Sequence, residues 1–144
     1  MKKILLILLM SISLDADFIR TNNSVHDIQT ALEWQDNNET NSTKYSWQEA
    51  IDYCERLLLN EDSDWRLPNI NELKTVIDRS QKEPAIKGHI FEYLGDGNYY
   101  GYWSSTSVVN FENYAWIVYF GNGATYSNYK EYNGLYVRCV RDVD

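Results

Sequence analysis

The sequence predicts an α+β fold: a single domain with two helices ahead of an antiparallel sheet joined by long loops. Three observations carry this. Two helix-capping patterns, each followed by apolar residues at helical spacing, occupy the first half. Beyond Pro84 the period changes to two, in short runs rich in Tyr, Trp, Val and Ser and punctuated by glycines. Helices first and strands second is an α+β order, and 144 residues suffice for one sizeable core.

The first residues, MKKILLILLMSISLDADF, hold a short basic stretch at Lys2 and Lys3, an apolar run from Ile4 to Met10, and small or polar residues up to Ala16. This reads as a secretory signal peptide, residues 1–16, cut near Ala16–Asp17, with one domain over 17–144. No other apolar run is long enough to span a membrane. The expected destination is outside the cytosol: periplasm, cell surface or medium.

Residues 17–38 alternate loosely, with Val25, Ile28, Leu32 and Trp34 among polar neighbours, and read as one or two short strands. Asp36 to Thr43 follows as an exposed polar loop without an apolar residue. Ser46 and Glu49 then form a capping box. The helix it opens places Trp47, Ala50, Ile51, Cys54, Leu57 and Leu58 on one face. Asn69 and Glu72 repeat the device within DWRLPNINELK. Pro68 holds Leu67 extended before the cap, and Ile70, Leu73, Val76 and Ile77 supply the apolar stripe. Trp65 reads as a core plug, and Arg66 as a partner for Asp64 or Glu72. YWSSTS, YAWIVYF, ATYSNYK and LYVRCVR read as strands, with Gly121-Asn122-Gly123 a hairpin turn that needs positive φ.

Cys54 and Cys139 are the only cysteines. In an exported chain they are expected to form one disulfide closing a loop of about 85 residues; the rival is a reactive thiol, which needs a base or cation at hand. Arg138 and Arg141 flank Cys139, but strand alternation turns Arg138 to the opposite face.

A formal charge of -8 and a pI near 4.7 argue against nucleic acid as a partner. His26 and His89 lack metal spacing, and Asp62 with Asp64 offers too few ligands for a calcium loop, so no metal or cofactor is expected. No phosphate-binding loop, dinucleotide fingerprint or Ser-His-Asp order is present, and Ser104 and Ser105 lack a base.

Ten of the twelve tyrosines fall between Tyr93 and Tyr136, interspersed with asparagines and glycines. Tyr, Asn, Ser and Gly together are the composition of adaptable recognition surfaces, and aromatic faces beside amides suit sugar rings. The same tyrosines also suit half-buried strands. The candidate ligand-binding residues are Asn98, Tyr99, Tyr100, Tyr126, Asn128, Tyr129, Lys130 and Tyr132, on a face built from loops 95–103, 108–113 and 121–133. Asn38 and Asn41 each follow an acidic residue at -2 and precede Thr at +2, the acceptor pattern of some bacterial N-glycosylation systems; a chance match in a polar loop is the alternative.

In this order, TALEWQDN, the Trp-Gln-Glu-Ala helix with Cys54, DWRLPNINELK, YWSSTS, AWIVYFGNGA and YVRCVR resemble the Lcl C-terminal domain family, named from a bacterial collagen-like adhesin and long a domain of unknown function. The resemblance runs from about Leu32 to Arg141. It implies a compact fold similar to C-type lectins and formylglycine-generating enzymes, in which a cysteine of the first helix bonds one on the final strand, in agreement with Cys54–Cys139. The similar enzymes use a dedicated redox-active cysteine pair, and this chain has no cysteines to spare for one. The sugar-binding triplets of calcium-dependent lectins, Glu-Pro-Asn and Trp-Asn-Asp, are missing as well. The expectation is an exported, non-catalytic, adhesion-like module for a glycan, an envelope component or a protein. A purely structural envelope module is the alternative, and an enzyme the third reading.

Overall fold

A computed structural model describes residues 17–87, 90–95 and 100–143. Residues 1–16, read above as a signal peptide, and His89, Asn98 and Tyr99 lie outside the described residues.

The chain opens with three antiparallel strands, β1 (Phe18–Arg20), β2 (Ser24–Asp27) and β3 (Leu32–Gln35). The Asp27 carboxylate accepts from the amides of Gln29 and Thr30 and shapes the turn before β3. Three helices follow: α1 (Glu39–Ser42), α2 (Trp47–Arg56) and α3 (Ile70–Thr75). The second half holds β4 (Gly101–Val108), β5 (Phe111–Tyr119) and β6 (Thr125–Tyr129), and the chain closes with β7 (Val140–Asp142). The α+β class is thus observed, but with two antiparallel sheets, ordered β1-β2-β3-β7 and β4-β5-β6.

The LYVRCVR run does not extend the second sheet as expected. Its last residues, Val140 and Arg141, pair with β3 together with the following Asp142, Trp34 lying opposite Val140. The preceding residues thread between the sheets, Leu135 bridging to Tyr45 and Tyr136 to Tyr102. Side-chain alternation explains the path: Leu135, Val137 and Cys139 enter one core while Tyr136 and Val140 enter another.

The second sheet is the wall between those cores. Tyr102 and Val118 face one side, against Trp34, Leu73, Val76 and Phe120. Trp103 and Ile117, their chain neighbours, face the other, against Ala50, Cys54, Trp65 and Cys139. Each such side chain contributes on the order of 1.5–3 kcal/mol by leaving water. Three tryptophans keep their indole N–H groups bonded: Trp103 donates to the Tyr45 carbonyl at 2.9 Å, Trp47 to Ser104 at 2.9 Å and Trp65 to Asp62 at 3.2 Å, whereas the indole N–H of the fully buried Trp34 finds no partner among the described residues. Trp65 is therefore the expected core plug.

Both helix starts are where the sequence puts them. Asn69 Oδ1 accepts from the Glu72 amide at 2.8 Å, and the Glu72 carboxylate accepts from the Asn69 amide at 2.9 Å. At α2 the Glu49 carboxylate accepts from the Ser46 amide at 2.8 Å and from its hydroxyl at 2.9 Å. Cys54 and Cys139 are bonded, 5.5 Å apart at Cα, tying α2 to the segment entering β7. The positive φ expected in Gly121-Asn122-Gly123 falls at Gly123, φ 74°.

The polar segment 36–43 is not the exposed loop its composition suggests. Residues 39–42 form α1, and Asp36 and Thr40 are fully buried. Burial is possible because each polar group is bonded. Asp36 meets Arg20 and Arg138 and accepts from the Glu92 and Tyr93 amides at 2.8 and 3.1 Å. The Thr40 hydroxyl meets the carbonyls of Asn37 and Tyr93.

Candidate functional site

The predicted binding residues do not gather on one face. Register places Tyr114, Trp116 and Val118 of β5 beside Tyr129, Ser127 and Thr125 of β6, on the side of the sheet that Tyr102 shares. Ala115, Ile117 and Tyr119 lie beside Asn128, Tyr126 and Ala124 on the Trp103 side. Tyr126 and Tyr129 therefore point to opposite faces. On the first face Tyr129 meets Tyr114 edge-on, ring centroids 5.7 Å apart. On the second Tyr126 leans on Tyr119 at 5.0 Å. Burial, reinforced by the nearby Tyr126 and Tyr132 hydroxyls, raises the pKa of Tyr119, so Tyr132 belongs to this second cluster. The Tyr132 ring lies so close over Gly134 that a Cβ there would come within 2.4 Å of it.

Tyr100 belongs to the core. It is 6% exposed, packs edge-on to Tyr102, and burial pushes its pKa up to about 12. Lys130 is committed locally: its ammonium donates to the Ser107 hydroxyl at 2.7 Å and sits 4.0 Å over the Trp47 ring. Asn128 is half-buried and accepts from the Tyr129 amide at 2.8 Å. Of the two possible acceptor asparagines, Asn38 is exposed, while Asn41 is half-buried and donates to the Leu94 carbonyl at 3.1 Å.

A groove on this sheet falls partly within the predicted loops 108–113 and 121–133, although none of its lining residues was singled out as a binding residue. Val108, Phe111, Tyr114 and Ser127 enclose a space of about 340 Å³ beside the two-residue turn at Val109-Asn110, where Asn110 takes φ 65°. Phe111 is 63% exposed. The predicted loop 108–113 narrows to this two-residue turn because Val108 and Phe111 pair and extend the strands on either side, and Asn110 tolerates the positive φ.

The charged clusters elsewhere are saturated. Arg66 forks onto Glu72 at 2.6 and 2.7 Å and reaches Asp142, while Asp64 pairs with Arg141. Burial alone would raise the Asp36 pKa; the Arg138 charge and the hydrogen bonds from Glu92, Arg138 and Arg20 outweigh it and hold the carboxyl below its usual range. Asp62 and Asp64 both engage Arg141, and no group of three or more His, Cys, Asp or Glu among the described residues is placed to hold a metal ion. What the surface offers is rings, amides and hydroxyls, fit for stacking and hydrogen bonding.

A family model described as the Lcl C-terminal domain matches residues 23–141. The chain belongs to that family. No curated protein matches it. The match to the Lcl C-terminal domain takes in β2, both capped helices, the disulfide and the whole second sheet, so the tyrosine clusters lie inside the family domain.

Proposed function

We propose that this Lcl C-terminal domain is an exported, non-catalytic recognition module that holds a glycan, a cell-envelope component or a protein on its second sheet. One observation carries the reading. Every strongly exposed aromatic side chain among the described residues, Phe111, Tyr114, Tyr126, Tyr129 and Tyr132, lies on β5, β6 or the turn after β6, with exposures from 41% to 63%. Elsewhere among the described residues the large rings are buried or half-buried. Exposed rings concentrated on one sheet, on both of its faces, beside Asn and Ser side chains are the mark of a contact surface.

Export is supported by the disulfide and by the apolar, basic-started leader in the sequence. The absence of catalysis is supported by the chemistry of the sulfurs: both are committed to one bond, which leaves no thiol for the redox-active pair of the similar enzymes.

The test is an array of glycans and envelope fractions probed with the exported protein, with thiol titration of the same sample. We expect saturable binding, no free thiol, and loss of binding in Tyr126→Ala or in Tyr129→Ala. Because these rings point to opposite faces, the sensitive one tells which face is used. No binding together with two titratable thiols would overturn the reading and revive the enzyme.

A further inference from the structure

Two clefts open on the same face of the second sheet, along its free edge. Lys74, Ile77, Arg79, Gly123 and Thr125 line one of about 410 Å³; Ser127 lines the other with Val108, Phe111 and Tyr114. Thr125 and Ser127 are alternate residues of β6, so their side chains share a face and stand about 7 Å apart.

The backbone of β6 has a fixed phase. Tyr119 donates to the Ala124 carbonyl at 2.9 Å and Lys130 to Asn113 at 2.8 Å, so residues 124, 126, 128 and 130 turn their amides and carbonyls to β5. Thr125 and Ser127 turn theirs outward, and among the described residues nothing takes them up. β6 is an edge, and Thr125–Tyr129 contains neither a charge nor a proline to blunt it. The clefts differ in character. Lys74 and Arg79 have no ion-pair partner among the described residues, whereas Arg20, Arg66, Arg138 and Arg141 all do. The second cleft is aromatic.

We propose that β6 is a docking edge for an extended segment of a partner protein that carries an acidic side chain and, two residues away, an apolar one. This rests on the second sheet being the recognition surface, and names its partner. A strand added antiparallel to β6 bonds to the free groups of Ser127 and Thr125 and delivers its alternate side chains to the two clefts. The acidic residue falls beside Lys74 and Arg79, the apolar one beside Phe111 and Tyr114.

The probe is a fluorescent, end-blocked peptide containing Thr-Leu-Thr-Glu-Thr, titrated with the exported protein and followed by anisotropy. Saturable binding is expected, weakened at least about tenfold when Glu is replaced by Lys or when the Leu and Glu amides are N-methylated. N-methylation of the Thr between them, whose amide points away from β6, is expected to change little. Lys74→Glu with Arg79→Glu should invert the preference toward the Lys peptide. Absence of saturable binding, or binding indifferent to N-methylation and charge, overturns the proposal. So does a dimer in sedimentation that Ser127→Pro dissociates, since a second copy would then own the edge. A ligand found on the array that depends on a tyrosine, with the peptides silent, removes the docking edge and leaves the recognition module standing.

Discussion

Arg138 is an arginine with no solvent exposure in a chain that carries an excess of acid. Its guanidinium donates to the Gln35 carbonyl at 2.6 Å, to Asp36 at 2.7 Å and to the Tyr93 carbonyl at 2.5 Å, and lies 4.8 Å from the Phe91 ring centre. One side chain thereby joins the end of β3, the 90–95 segment and the strand entering β7. Removing the charge from its partner alone is the damaging change, because it strands a buried cation. Asp36→Asn should lower stability by about 3–5 kcal/mol in urea denaturation. Asp36→Asn with Arg138→Met should recover part of that loss; additive effects of the two substitutions would show that the pair is not coupled.

At the scale of elements, α2 and the β7 approach are held by one covalent bond buried in the second core. Cys54→Ala with Cys139→Ala should lower stability by about 2–5 kcal/mol by thermal or urea denaturation, the loop of 85 residues being free again in the unfolded chain. At α3, Asn69→Ala should cost about 1 kcal/mol in the same assay, and Glu72→Ala more, since Glu72 closes the cap and also receives the Arg66 fork. These elements were legible because their signals are local: Ser46 to Glu49, Asn69 to Glu72, Gly123 in its turn. The partner of the LYVRCVR run was not, since alternation in a strand says which side chains go together but not which sheet receives them. Nor was the burial of Asp36 and Thr40, whose polarity reads as solvent exposure until Arg138 and Tyr93 arrive from far along the chain. The candidate residues share a region of the sequence but not a face: β6 places Tyr126 and Tyr129 back to back, and Tyr100 falls one residue before a strand that carries it inward.

For the whole molecule, the balance of charge sets the response to acid. Asp36, Glu72, Asp64 and Asp78 all have pKa values held below their usual ones. At Asp64 the main cause is the Arg141 hydrogen bond, and at Asp78 the Ser80 hydroxyl; at Glu72 burial opposes, and Arg66 and the Asn69 amide prevail. A depressed carboxylate contributes stability above its unfolded pKa and loses it as pH falls through the folded one. The urea midpoint should therefore stay level from neutral pH to about pH 5 and fall steeply below about pH 4. In Asp36→Asn that acid limb should be shallower. A midpoint that rises on acidification would show that self-repulsion of the negative charge outweighs these partners.

The pairing of β3 with β7 also orders events in time. Trp34 can find Val140, and Gln35 can find Arg138, only after more than a hundred further residues have been made. Until then β3 has one open flank, Asp36 lacks its buried counter-charge, and Cys54 has no partner sulfur. Contacts so distant in sequence slow the search for the native state. The first sheet therefore closes only when the final strand arrives.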